Sequence, residues 1–180
     1  MANPTMTLIQ SYTVGAGGVS SITFGTGLPG GIIPNTYTDL KLVWSGRSTA
    51  ATTTLGPELF FNTTETSAQI RFANNNGTSI NVNDTNIGAG QGEAGYAPGS
   101  SSTANTFGNV EIYIPNYNST NNKSYSIDIA DETNASSGIY LGFHAGIINL
   151  TSAITSIKIQ DTSGSFVQYS TFYLYGIKNS

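Results

Sequence analysis

Phe166-Val-Gln-Tyr-Ser-Thr-Phe-Tyr-Leu-Tyr-Gly-Ile-Lys178 carries aromatic or large aliphatic side chains at most positions and no charge before its last residue. Such a run is too aromatic and too β-prone for a helix, and too short to span a bilayer. It reads as a long strand, Phe166–Ile177, that seals a β-sandwich at the end of the chain.

Upstream of it, short alternating runs recur between clusters of Gly, Asn, Ser and Pro, and no stretch has a helical period. The expected strands are Thr7–Val14, Val19–Phe24, Tyr37–Ser45, Glu58–Asn62 and Gln69–Ala73, followed by Asn109–Ile114, Ser124–Ala130, Ile139–Ala145, Ile154–Gln160 and Phe166–Ile177. Alternation fixes a buried face. Leu40, Leu42 and Trp44 point one way while Asp39, Lys41 and Val43 point the other. Val110, Ile112 and Ile114 repeat the pattern, as do Tyr125, Ile127 and Ile129. The fold class is all-β: one antiparallel β-sandwich domain over 1–180, with a jelly roll as the expected topology. That topology would bring the N-terminal strand near the last one. Met1–Thr7 reads as an N-terminal arm. Asn81–Ser102 reads as a long loop, with Gly88-Ala-Gly-Gln-Gly-Glu-Ala-Gly95 unable to pack.

Composition narrows the function. Charged residues are 9% of the chain, against about a quarter in ordinary globular domains. Hydrophobic residues reach 38% and are clustered, which argues for a folded chain. A net charge of −4 and six scattered basic residues offer no patch for nucleic acid. The absence of cysteine removes disulfides, thiol catalysis and zinc-thiolate sites. No cationic, apolar leader opens the sequence and no run approaches the length of a membrane span, so neither secretory export nor a membrane partner is expected.

The chemical motifs read as structure. Gly25-Thr-Gly-Leu-Pro-Gly30 matches a dinucleotide fingerprint in letters, but Gly31-Ile-Ile-Pro34 cannot begin the helix that would meet a pyrophosphate. It is a turn, and no cofactor is expected. His144, the one histidine, has no nucleophile elbow or metal-ligating companions, and reads as hydrogen-bonded structure. Asp128, Asp131, Glu132 and Asn134 lack the spacing of a calcium loop and read as a solvated turn; Asn83-Asp84-Thr85-Asn86 reads alike. No metal, and no catalytic residue, is assigned. Tyr113, Tyr117, Tyr125, Tyr140 and Tyr175 have the chemistry to stack on sugars, although packing and interface are the commoner uses of tyrosine. Trp44 reads as a core anchor, and Arg47 as a bidentate partner for a neighbouring subunit's carboxylate.

Four blocks carry a family resemblance. They are Ile33-Pro-Asn-Thr-Tyr-Thr-Asp-Leu-Lys-Leu-Val-Trp-Ser-Gly-Arg47, Phe60-Phe-Asn62, Phe107-Gly-Asn-Val-Glu-Ile-Tyr-Ile-Pro-Asn-Tyr117 with Asn122-Lys-Ser124, and the C-terminal run. Together they resemble small all-β virion structural proteins of tailed bacteriophages, including those of cyanobacterial hosts, some of which resemble jelly-roll capsid cement proteins. The resemblance implies a non-enzymatic decoration protein on the capsid surface of a virion assembled in the host cytoplasm. Its implied partners are the major capsid protein and further copies of itself, as a dimer or trimer. Met6, Leu8, Arg47, Asn83, Asp84, Glu93 and Tyr96 are the expected contact residues. The other reading is a tail- or head-fibre adhesin domain that binds host surface glycan.

Overall fold

The computed structural model describes residues 5–62, 67–75, 80–89, 92–134 and 140–178, with 67–75, 80–89 and residue 148 described by their backbone alone. Among these residues the chain forms fourteen strands and one short 3-10 turn, Pro29–Gly31. The strands are β1 (Met6–Thr13), β2 (Ser21–Phe24), β3 (Asp39–Gly46), β4 (Thr54–Leu55), β5 (Glu58–Phe61), β6 (Ser67–Asn75) and β7 (Ile80–Ala89). After them come β8 (Gly92–Glu93), β9 (Ala97–Pro98), β10 (Gly108–Ile114), β11 (Lys123–Asp131), β12 (Tyr140–Ile148), β13 (Ile157–Gln160) and β14 (Thr171–Ile177).

Every pairing is antiparallel. One sheet has eight strands in the order β1-β14-β3-β10-β11-β12-β6-β7; a second has four, β2-β13-β5-β8; β4 and β9 form a small third. The first strand does lie against the last, with Met6 opposite Ile177 and Thr13 opposite Thr171. The jelly-roll topology is not confirmed, since the strands divide eight, four and two rather than into two sheets of four.

The alternating strands build the core as their period dictates. Leu40, Leu42 and Trp44 of β3, Val110, Ile112 and Ile114 of β10, and Phe172 and Leu174 of β14 are all fully buried on the inner face of the large sheet. Ile22, Phe24, Leu59, Phe61, Ile157 and Ile159 face them from the four-stranded sheet. Each such side chain contributes about 1.5–3 kcal/mol through removal from water. Trp44 anchors the centre. Its ring stacks on Phe172 at 5.7 Å and meets Phe166 edge-on at 6.2 Å, and its indole N–H donates to the Ala94 carbonyl at 2.9 Å.

Three expectations are corrected. Asn81–Ser102 is not a loop: most of it forms β7, β8 and β9, and Ala94 and Ala97 are fully buried. Its small residues are what permit the packing. A β-carbon on Gly95, at φ 109°, would meet Val110 at 2.7 Å, and one on Gly92 would meet the Leu59 carbonyl at 3.2 Å. The C-terminal strand starts at Thr171 rather than Phe166, because Tyr169 adopts φ 73° within a turn closed by Ser170 N–H donating to Val167 O. Phe166 still plugs the core, joined to Val19 and Ser48 by single bridges. Of the expected arm, Met6 and Thr7 belong to β1, while residues 1–4 lie outside the described residues. The Gly25–Gly30 segment is a turn as expected, with positive φ at Gly25, Gly27 and Gly30.

Candidate functional sites

Arg47 follows directly on β3, where Gly46 ends the strand, and its side chain turns inward. Nη1 donates to Thr103 O at 2.8 Å and to Thr106 O and Oγ1 at 3.3 and 2.9 Å, while Nη2 donates to Ser102 O at 3.0 Å. The residue is 8% exposed. The expected contact to another subunit's carboxylate is therefore overturned, because the guanidinium's donors already hold the 102–106 segment. Charge-assisted bonds to several carbonyls offset its desolvation.

Lys123, at the start of β11, repeats the device. Its ammonium donates to the carbonyls of Ser119, Asn121, Leu150 and Ser152 at 2.7, 2.9, 2.9 and 2.6 Å, tying two loops together. Burial lowers its pKa from the ordinary lysine value. Lys158 lies over the Phe60 ring at 3.9 Å and bonds Gln160 at 2.8 Å. Among the described residues, the chain's scarce cations thus serve its own architecture.

A different cluster sits where the short strand β8 meets β12 and β11. Glu93 and Tyr96, both expected contact residues, come together here with His144 and Tyr125. Glu93 Oε2 lies 3.8 Å from His144 Nδ1, and Tyr96 hydrogen-bonds the Glu93 carboxylate while its ring meets His144 edge-on at 5.6 Å. Tyr125 lies across Gly146, where a β-carbon would strike its ring at 2.2 Å. Burial dominates the electrostatics. It raises the Glu93 pKa, pushes His144 down to about 4, and raises Tyr125. Glu93 Oε2 and the Tyr125 hydroxyl are enclosed with no hydrogen-bond partner among the described residues. The cluster holds an acid, an imidazole and two phenols, but no nucleophile poised beside the base. Near Arg47, burial pushes Asp131 up to about 6, against the pull of a bond from Thr54 Oγ1 at 2.9 Å.

The remaining expected site residues divide. Met6 and Leu8 stand 47% and 49% exposed on β1. Asn83 and Asp84 fall on β7, opposite Phe72 and Arg71, with their side chains outside the described residues. Of the tyrosines weighed for sugar stacking, Tyr117 and Tyr125 are core, Tyr113 donates to Asp39 Oδ2 at 2.7 Å, and Tyr140 packs on Tyr96 at 5.4 Å. Phe143 also projects, 66% exposed on the outer face of β12 between Leu141 at 51% and Ile147 at 50%. Within Gly142-Phe-His-Ala-Gly146 the phase signals this. Gly142, His144 and Gly146 are buried, so Phe143 must face out.

Fold and sites together define an antiparallel β-sandwich protein with cationic loop staples inside and two apolar surfaces open to solvent. No protein-family model matches the chain, and no curated protein sequence matches it. Among solved structures, a similar chain is the CBM2 module of the evolved Dit of Lactobacillus casei BL23 phage J-1. It is 13% identical, aligned over 89% of this chain and 69% of that one, with a TM-score of 0.19. At that level no functional inference passes between the two. Among the described residues, no helix is long and apolar enough to cross a membrane, and no group of three or more His, Asp or Glu side chains is placed to hold a metal ion.

Proposed function

We propose that this chain is a structural protein of a phage virion, and within the virion a capsid cement protein that docks on the shell through strand β1. The resemblance of the four sequence blocks to phage virion proteins motivates the setting. The observation that carries the docking reading is the edge itself. β1 ends the eight-stranded sheet, pairs among the described residues only with β14, and holds no charged residue or proline in Met6-Thr-Leu-Ile-Gln-Ser-Tyr-Thr13. Natural sheets protect such edges with charge, proline or cover. A register shift between Leu8 and Gln10 and the bonds of Gln10 to Gly25 and Thr26 occupy the middle of this edge, but its Met6–Leu8 end carries two exposed apolar side chains and is suited to accept a strand from a capsid subunit or from another copy. The backbone then supplies the hydrogen bonds and the exposed side chains supply the buried area. The role is one of binding, with no catalytic step.

Cryo-electron microscopy of the intact virion tests the reading. Density for the sandwich at capsomer junctions, with β1 against a capsid subunit, is the expected result. Density confined to the tail or a fibre would overturn it. In reconstitution, Leu8→Lys should abolish binding to expanded shells while leaving the isolated protein folded.

A further inference from the structure

The outer face of the large sheet carries a second surface that spans β3 to β12, two to five strand positions from β1 and so roughly 10–24 Å away at ordinary strand spacing. Val43, Glu111, Asp128 and Phe143 stand directly opposite one another on β3, β10, β11 and β12. With Asn109 they line an open hollow of about 230 Å³. Two departures from ordinary sheet construction meet here. Like charges directly opposite on neighbouring strands are unfavourable, yet Glu111 faces Asp128. Lys41 balances Glu111 at 2.7 Å, while the exposed Asp128 makes no hydrogen bond or ion pair among the described residues. Beside it a large aromatic is left two-thirds in water. Departures of this kind concentrate where a surface is shaped for a ligand.

From this juxtaposition we propose that the hollow is a binding subsite for one ring of a neutral saccharide, with Phe143 as its platform. The flat apolar face of a pyranose lies on the phenyl ring. Sugar hydroxyls donate to the Asp128 and Glu111 carboxylates, which are acceptors only, and Asn109 both donates and accepts. Other ligand classes fit worse. An apolar protein surface or an acyl chain would strip water from Asp128 without replacing its hydrogen bonds, which is costly. An anionic ligand would meet two carboxylates. The hollow is smaller than the pockets that enclose drug-sized ligands, as suits a single ring resting on an open face. This subsite is independent of docking through β1, and a chain held by that edge leaves β12 free.

The test uses the purified full chain against an array of neutral oligosaccharides ending in glucose, galactose, mannose or N-acetylglucosamine. Saturation-transfer NMR with the same sugars at millimolar concentration accompanies it. Binding to at least one of these sugars is expected, with transfer to its ring protons. Phe143→Ala should weaken it at least tenfold and Asp128→Asn several-fold, at unchanged melting temperature. Tyr169→Ala, which removes an exposed aromatic elsewhere, should leave binding unchanged. No binding to any neutral sugar would overturn the proposal, as would binding indifferent to Phe143→Ala. Affinity that falls steeply with added salt would also overturn it, because that marks a charged ligand. Placement of the protein in the virion is read by microscopy, so either proposal can fail without the other.

Discussion

The molecule buries ionisable groups in two ways, and the contrast lies in how completely their hydrogen bonds are met. At Arg47 and Lys123, a cation enters the protein and finds several carbonyl oxygens at 2.6–3.3 Å. At the Glu93–His144–Tyr125 cluster, burial pushes the acid and the imidazole toward their neutral forms, and Glu93 Oε2 and the Tyr125 hydroxyl are enclosed without a hydrogen-bond partner among the described residues. The cations act as staples, since their loops have few apolar residues to hold them. The cluster fills space between a two-residue strand and the large sheet, and its polar atoms add little for their desolvation. Low overall charge therefore does not mean that charge is unimportant here. It means that single cations organise whole loops.

The strongest test of the contrast is Arg47→Met, which keeps most of the volume and removes the donors. Ser102, Thr103 and Thr106 would lose their shared partner, and a loss of about 3 kcal/mol is expected from a broken network of charge-assisted bonds. At about 2–4 °C per kcal/mol for a chain of this size, calorimetry should show a melting temperature lower by roughly 6–12 °C. A drop below about 2 °C would mean that water replaces the guanidinium freely, and the staple reading would fail. Lys123→Met should cost less, about 2 kcal/mol, because the 119–121 and 150–152 carbonyls lie nearer to solvent. Hydrogen exchange should then rise in both loops together, whereas a merely local contact would loosen only one.

What the sequence could reveal follows the same division. Strands that bury one face were legible, because Leu40, Leu42 and Trp44, or Tyr125, Ile127 and Ile129, write their orientation into the period. β7 was not legible, since a strand at the sheet edge is held by backbone pairing to β6 and in its sequence Ile80–Ala89 apolar alternation stops after Ile80 and Val82. Gly92–Gly95 misled for the opposite reason: residues without bulk can pack most closely, and Gly95 sits against Val110. Arg47 reads as a surface residue after a strand-ending glycine. Its partners are 55 to 59 residues away and are brought back only by the fold. Met6 and Leu8, expected as contact residues, stand exposed on the first strand. Phe143 carries no hydroxyl to mark it as a sugar platform, although the glycines at 142 and 146 fix its direction.

The smallest effect sharpens the comparison most, because it turns on sign. The folded-state pKa of His144, about 4, lies below its ordinary 6.5. Between these values the unfolded chain binds more protons, so His144 makes the protein less stable as pH falls from 6.5 to 4. Asp131 works the other way. Its folded pKa of about 6 lies above the ordinary 3.8, so the folded chain binds more protons in that window and gains stability on acidification; Glu93, also raised, has the same sign. The opposing slopes should leave the wild-type melting temperature nearly flat between pH 6.5 and 4. His144→Phe removes the unfavourable slope, so its melting temperature relative to wild type should climb steadily as pH falls from 6.5 to 4. Asp131→Asn should tilt in the opposite direction by a similar amount. If both variants tilt the same way, burial does not control these two groups, and the contrast between cations stapled in charged form and an acid and imidazole pushed toward neutrality collapses.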